Sequence, residues 1–182
     1  MLGRMMDEQL LCSRPIRYAA RYYGDEEVVV RAIEGGIHRT TYAQIHARAC
    51  RLSDALARCF GIGKGDVVAT LAFNTDRHLE LFHAVPGMGA VLHTVNPRLF
   101  GDQIVSIIER GGANLVFVDL ACWDILAPLR ERLQPACKIV VMTDRANMPE
   151  DAGDAACYEE LLEQGDAADR WPDMDGRSAA TL

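Results

Sequence analysis

The strongest pattern in the chain is an apolar stripe. Tyr42, Ile45, Ala49, Leu52, Leu56 and Cys59 recur at alternating spacings of three and four residues, while Arg48, Arg51 and Arg58 fall on the opposite face. That period is one side of an α-helix. Thr40 or Thr41 stands where an N-cap belongs, and the glycines of Gly61-Ile-Gly-Lys-Gly65 can supply a left-handed stop. Ahead of this helix, residues 7–23 read as a short helical lead-in with Leu10, Leu11, Ile16 and Tyr18 as anchors. Next comes a β-rich run from Glu27 to Ile33, then Gly35-Gly36, then a return from Ile37 to Thr40. This is the pattern of a small hairpin.

Beyond the stripe the pattern changes. Val67–Phe73, Val91–Val95, Leu115–Val118 and Lys138–Met142 are short apolar runs with little polar alternation. Each is followed by a helical stretch. The first begins at a cap among Asn74, Thr75 and Asp76, directs Leu79, Phe82 and Val85 inward, and ends or kinks at Pro86-Gly87. The others are Gln103–Arg110, with Ile104, Ile107 and Ile108 on one face, residues 121–133, and Tyr158–Glu163. Apolar strands alternating with helices predict an α/β fold, a mostly parallel sheet flanked by helices and joined by right-handed crossovers. After Glu163 the chain turns polar and small, the composition of a surface connector.

Composition adds little to this. The 182 residues are enough for one good-sized core, or a core plus a small appendage, and the charge of -7 disfavours a nucleic-acid surface. No run reaches the length of a membrane span, and the charged residues near the amino terminus break any signal-peptide core. Six cysteines (12, 50, 59, 122, 137 and 157) form no Cys-x-x-Cys pair. They read as reduced, mostly buried thiols of a cytoplasmic protein rather than zinc ligands.

The candidate motifs read first as structure. Gly61–Gly65 lacks the first glycine and the trailing Ser or Thr of a Walker loop, and a strand rather than a helix follows it. His78 and His83 are five apart and not on one helical face, and His93 sits in an apolar strand as a buried, hydrogen-bonded histidine. No Gly-x-Ser-x-Gly occurs. Glu159, Glu160 and Glu163 read as a solvated helix face. Asn96-Pro97-Arg98 follows a strand at the end where α/β folds collect ligands. There Arg98 either faces an anion or pairs with a nearby acid while Asn96 and Pro97 shape a turn.

The order Thr41-Tyr-Ala-Gln, long helix, Gly65-Asp-Val-Val, strand to Asn74, and Leu115-Val-Phe-Val-Asp119 resembles the amino-terminal region of the adenylate-forming enzymes. The stretch Ala84-Val-Pro-Gly-Met-Gly-Ala-Val-Leu-His-Thr-Val-Asn-Pro-Arg-Leu-Phe100, with His78-Leu-Glu before it, is most similar to medium- and long-chain fatty acyl-CoA synthetases. The resemblance implies a parent enzyme that joins a fatty acid to AMP from ATP, with Mg2+, and passes the acyl group to CoA. It implies residues 1–170 as an amino-terminal α/β subdomain and 171–182 as a connector towards a Ser/Thr/Gly-rich phosphate loop closed by lysine. That loop has no matching position here, so no catalytic, cofactor-binding or metal residue carries over, and the 182 residues alone are expected to be inactive and to hold no cofactor tightly. The resemblance also makes a homo-oligomer the expected state. The competing expectation is a stand-alone, non-catalytic α/β module for dimerisation or interaction.

Overall fold

The computed structural model describes residues 8–133 and 137–182. Helix α1 (Ser13–Tyr22) leads into the hairpin β1 (Glu27–Arg31) and β2 (Ile37–Thr41). Leu11 and Ile16 anchor α1 as expected, but Leu10 and Tyr18 point to solvent. A ten-residue helix has room for only one buried stripe, and Ile16 occupies it. Residue 7 of the predicted lead-in lies outside the described residues.

Helix α2 (Tyr42–Phe60) starts at a capping box in which Thr41 accepts from Gln44 N–H and the Gln44 side chain accepts from Thr41 N–H. It stops where Gly61 takes a left-handed φ of 67°. Ile45, Ala49, Leu52 and Leu56 are fully buried along its predicted stripe, whereas Cys59, in the last turn, is exposed.

The main sheet is parallel, in the order β4 (Val91–Thr94), β3 (Val67–Leu71), β5 (Leu115–Asp119), β6 (Lys138–Met142), β7 (Ala156–Cys157). Alternate residues of each strand enter two separate cores, as a sheet covered on both faces requires. Val68, Leu115, Phe117, Val140 and Met142 face α2, α3 (Asp76–Gly87) and α6 (Tyr158–Glu163). Ala69, Leu71, Val116, Val118 and Val141 face α4 (Gly101–Gly111) and the segment around α5 (Trp123–Leu126). The predicted helix over 121–133 is a single α-turn flanked by 3-10 turns. Pro128, without an N–H, sits at the start of the second of these turns and cannot continue the α ladder. Phe82, expected inward, is exposed, because Leu81, Ala84 and Val85 form the packed face of α3.

After α6 the chain crosses the body again. Trp171 is 7% exposed, and its indole N–H donates to Ser53 Oγ at 2.8 Å. Leu92 N–H donates to Ala180 C=O and Leu182 N–H to Leu92 C=O, a parallel bridge between Leu92 and Thr181 on the outer edge of β4.

Candidate functional site

The chain builds outward from β3 in both directions, first to β4 and then back across to β5, so the switch point of the sheet lies between β3 and β5. Ligand crevices of open α/β sheets form beyond the carboxyl ends of strands at such a point. Asp119 closes β5 there. Its Oδ2 accepts from Phe73 N–H, just past β3, at 3.2 Å, while Oδ1 is buried with no hydrogen-bond partner among the described residues. Burial raises the Asp119 carboxyl above its ordinary range.

A cleft of about 710 Å³ opens above Asp119 and Met142. The amino ends of α2, α3 and α6 wall it, and the hairpin roofs it. Glu34, from the hairpin turn, reaches down to accept from Arg77 at 2.6 Å and from the Thr143 hydroxyl at 2.7 Å. Arg77 also donates to Glu159 at 2.9 Å. Arg48 donates to both oxygens of Glu159 at 3.0 Å and to Glu80 at 2.6 Å, and the Tyr158 hydroxyl donates to the other Glu80 oxygen at 2.7 Å. His38 of β2 contacts Asp76 at 2.6 Å.

The network corrects two sequence expectations. Glu159 does not belong to a solvated face: Glu160 and Glu163 are exposed, but Glu159 is half-buried between two guanidiniums. Arg48, placed on the outer face of α2, turns inward to Glu80 and Glu159. Burial alone would raise the Glu159 and Glu34 carboxyls; hydrogen bonds and the charges of their arginine partners outweigh it and hold both below the ordinary range. Glu80 is fully buried, and there burial wins, pushing its carboxyl up despite Arg48 and Tyr158.

Beside this cleft lies a second groove of about 660 Å³, lined by Val28, Val30, Leu79, Phe82 and Val95 and reaching Asn96 and Pro97. Asn96 Oδ1 accepts from Arg98 N–H at 2.9 Å, so Asn96 shapes the turn as expected. The Arg98 side chain is exposed and pairs with no acid among the described residues, so the acid-pairing alternative is not met. Gly61–Gly65 is a helix stop. Gly63 N–H bonds Asp66, Gly65 N–H bonds Gly89 C=O, and β3 follows.

The histidines separate by surroundings. His78 contacts Thr70 at 3.2 Å and His83 the Cys12 carbonyl at 3.4 Å, and burial lowers both rings. Burial also lowers His93, but its buried Nδ1 has no partner among the described residues, so the expected hydrogen bond is missing.

The cleft does not fit a triphosphate. It is lined by the carboxylates of Glu34, Asp76, Asp119, Asp144 and Glu159, and two of its three arginines, Arg48 and Arg77, are already neutralised by them or by Glu80. A polyanion would meet net negative charge there.

Sheet order, helices on both faces and a crevice at the switch point define an α/β scaffold of the doubly wound type. The chain belongs to the AMP-binding enzyme family, whose model matches residues 16–177. It is 38% identical, over its whole length, to the 3-methylmercaptopropionyl-CoA ligase of Ruegeria lacuscaerulensis, covering 34% of that protein. It is 44% identical over 91% of its length to the long-chain-fatty-acid–CoA ligase of Thermus thermophilus, covering 29% of it. The crystal structure of an anthranilate CoA ligase with anthranoyl-AMP superposes on the whole chain with a TM-score of 0.84, at 14% identity and over 33% of that protein, a likeness of fold. The chain thus spans about a third of the length of the curated relatives it matches. No helix among the described residues is long and apolar enough to cross a membrane.

Proposed function

We propose that this chain is the amino-terminal part of a fatty acyl-CoA ligase, an acid–thiol ligase that uses ATP and CoA, with Mg2+ on the triphosphate. The observation that carries the reading is the 44% identity to the Thermus long-chain-fatty-acid–CoA ligase across 91% of the chain. In this reading residues 1–170 are a scaffold subdomain and 171–182 lead towards the phosphate loop. A carboxylate is a poor electrophile. Such an enzyme first forms an acyl-adenylate, releasing pyrophosphate, and CoA sulfur then displaces AMP. The 182 residues contain no Ser/Thr/Gly-rich run closed by lysine, and the acidic cleft offers no substitute for one. The role left to these residues is to hold the sheet and its switch point rigid beside the nucleotide site.

The test is acid-dependent ATP–pyrophosphate exchange, measured with a series of fatty acids. The expected result is exchange by the full-length polypeptide that carries this chain and none by the 182 residues alone. Exchange by the short chain would overturn the scaffold role, and a full-length protein inert towards every fatty acid would overturn the ligase reading. The same reading places the protein in the cytoplasm as a homo-oligomer. Tyr18, Tyr22, Tyr23, Val29 and Ile37, all exposed on α1, the turn after it and the hairpin, support self-association. A mass from light scattering that stays monomeric at all concentrations would count against it.

A further inference from the structure

Away from the cleft, α2 presents His46 and Cys50 one turn apart to Asp169, which the returning segment brings against them. Their ligand atoms all lie within 4.8 Å of one another. His46 Nε2 is 3.3 Å from Asp169 Oδ2 and 3.5 Å from Cys50 Sγ. A tetrahedral zinc ion with ordinary bond lengths needs nitrogen–oxygen edges of about 3.4 Å and nitrogen–sulfur edges of about 3.5 Å. The two spacings at His46 match such edges, and the third, between Cys50 Sγ and Asp169, lies within 4.8 Å. The side chains of His46 and Asp169 are partly exposed, which leaves a path to solvent.

From these distances we infer that His46, Cys50 and Asp169 form a binding site for a borderline-soft divalent cation such as zinc. The surroundings suit a supporting shell. Arg17 donates to both oxygens of Asp169, with Nε to Oδ2 at 2.6 Å, and lies over the Trp171 ring. A carboxylate has about four lone-pair positions, so this fork orients it and leaves room for a metal bond. The Trp171 ring meets the His46 ring edge-on at 5.4 Å, fixing its plane. A cysteine binds a metal as thiolate, so uptake of the ion at Cys50 releases one proton to solvent. The ion would tie α2 to the segment 166–171, a structural role separate from the cleft and from the proposed ligase chemistry.

The probe is Co2+, added to the 182-residue chain in which the two exposed thiols, Cys12 and Cys59, are replaced by serine. The expected result is saturation at one equivalent, with visible bands of four-coordinate intensity, a near-ultraviolet thiolate-to-cobalt charge-transfer band, and a rise in melting temperature. Cys50→Ser should abolish the charge-transfer band. His46→Gln, at a partly exposed position and checked for native circular dichroism, should weaken Co2+ binding by about 100-fold, at the upper end of the loss seen when even a supporting group is removed. A weak six-coordinate spectrum, a charge-transfer band that survives Cys50→Ser, or binding unchanged in His46→Gln would each overturn the site.

Discussion

At the residue scale, Gly87 and Trp171 form the tightest side-chain fit to the returning segment. A Cβ on Gly87 would come within 2.7 Å of two atoms of the Trp171 ring. Gly87→Ala is therefore expected to cost about 1–3 kcal/mol by overpacking and to red-shift the indole fluorescence as the ring is displaced. Chemical denaturation followed by tryptophan emission checks both. Glu159 gives a pH prediction. Its folded carboxyl is held below the ordinary range, so its contribution is fully present above its unfolded pKa and is lost as pH falls through the lower, folded value. Glu159→Gln should lower stability at neutral pH and flatten this part of the acid limb of a stability–pH profile. An unchanged acid limb would show that Arg48 and Arg77 find other partners. None of this pairing was legible in the sequence. Arg48 and Glu159 are 111 positions apart and Arg48 and Glu80 are 32 apart, and helical periodicity reports only on neighbours within a turn or two. His46 and Cys50 do carry a local signal, a four-residue spacing on one helix, but Asp169 completes the cluster only in three dimensions.

At the element scale, legibility follows length and period. Helix α2 could be read because its stripe runs through five turns and is bounded by Thr41 and Gly61, whose roles as caps depend on local chemistry alone. The four longer strands could be read because a sheet covered on both faces needs unbroken apolar runs. Strand β7 has only two residues, too few for any period, and the α-turn at Trp123–Leu126 is cut short by Pro128 in a stretch whose apolar spacing suits a helix. Phe82 shows a further limit: periodicity finds a helix face but does not say where that face runs out of partners, and here the ring ends up lining an open groove. The α2 cap is testable. Thr41→Ala removes the oxygen that accepts from Gln44 N–H and should cost about 1 kcal/mol, read as a lower denaturation midpoint with an unchanged slope.

At the scale of the whole molecule, the hairpin and the returning segment tie the sheet from opposite sides. Glu34 pins the roof of the cleft to α3 and the end of β6, while Trp171 and residues 180–182 cover α2 and the outer edge of β4. Removing residues 171–182 should lower the melting temperature and leave the Leu92 amide open to hydrogen exchange, while the amides of β5, in the middle of the sheet, stay protected. Unchanged protection of the Leu92 amide after the truncation would show that the bridge to Thr181 contributes nothing. The family could be read from residues 78–100, where a helix end, a turn and a strand fall in a fixed order. The cleft could not, because its walls come from elements spread from Ala32 to Glu159.

The bridge between Leu92 and Thr181 also bears on how the protein is made. On the ribosome, β4 emerges nearly ninety residues before the bridging residues that cover its edge. Throughout that interval a nascent chain carries a bare sheet margin and an empty slot beside Gly87, so synthesis passes through a stage in which a chaperone or a neighbouring nascent chain could occupy the place that Trp171 and Thr181 later fill.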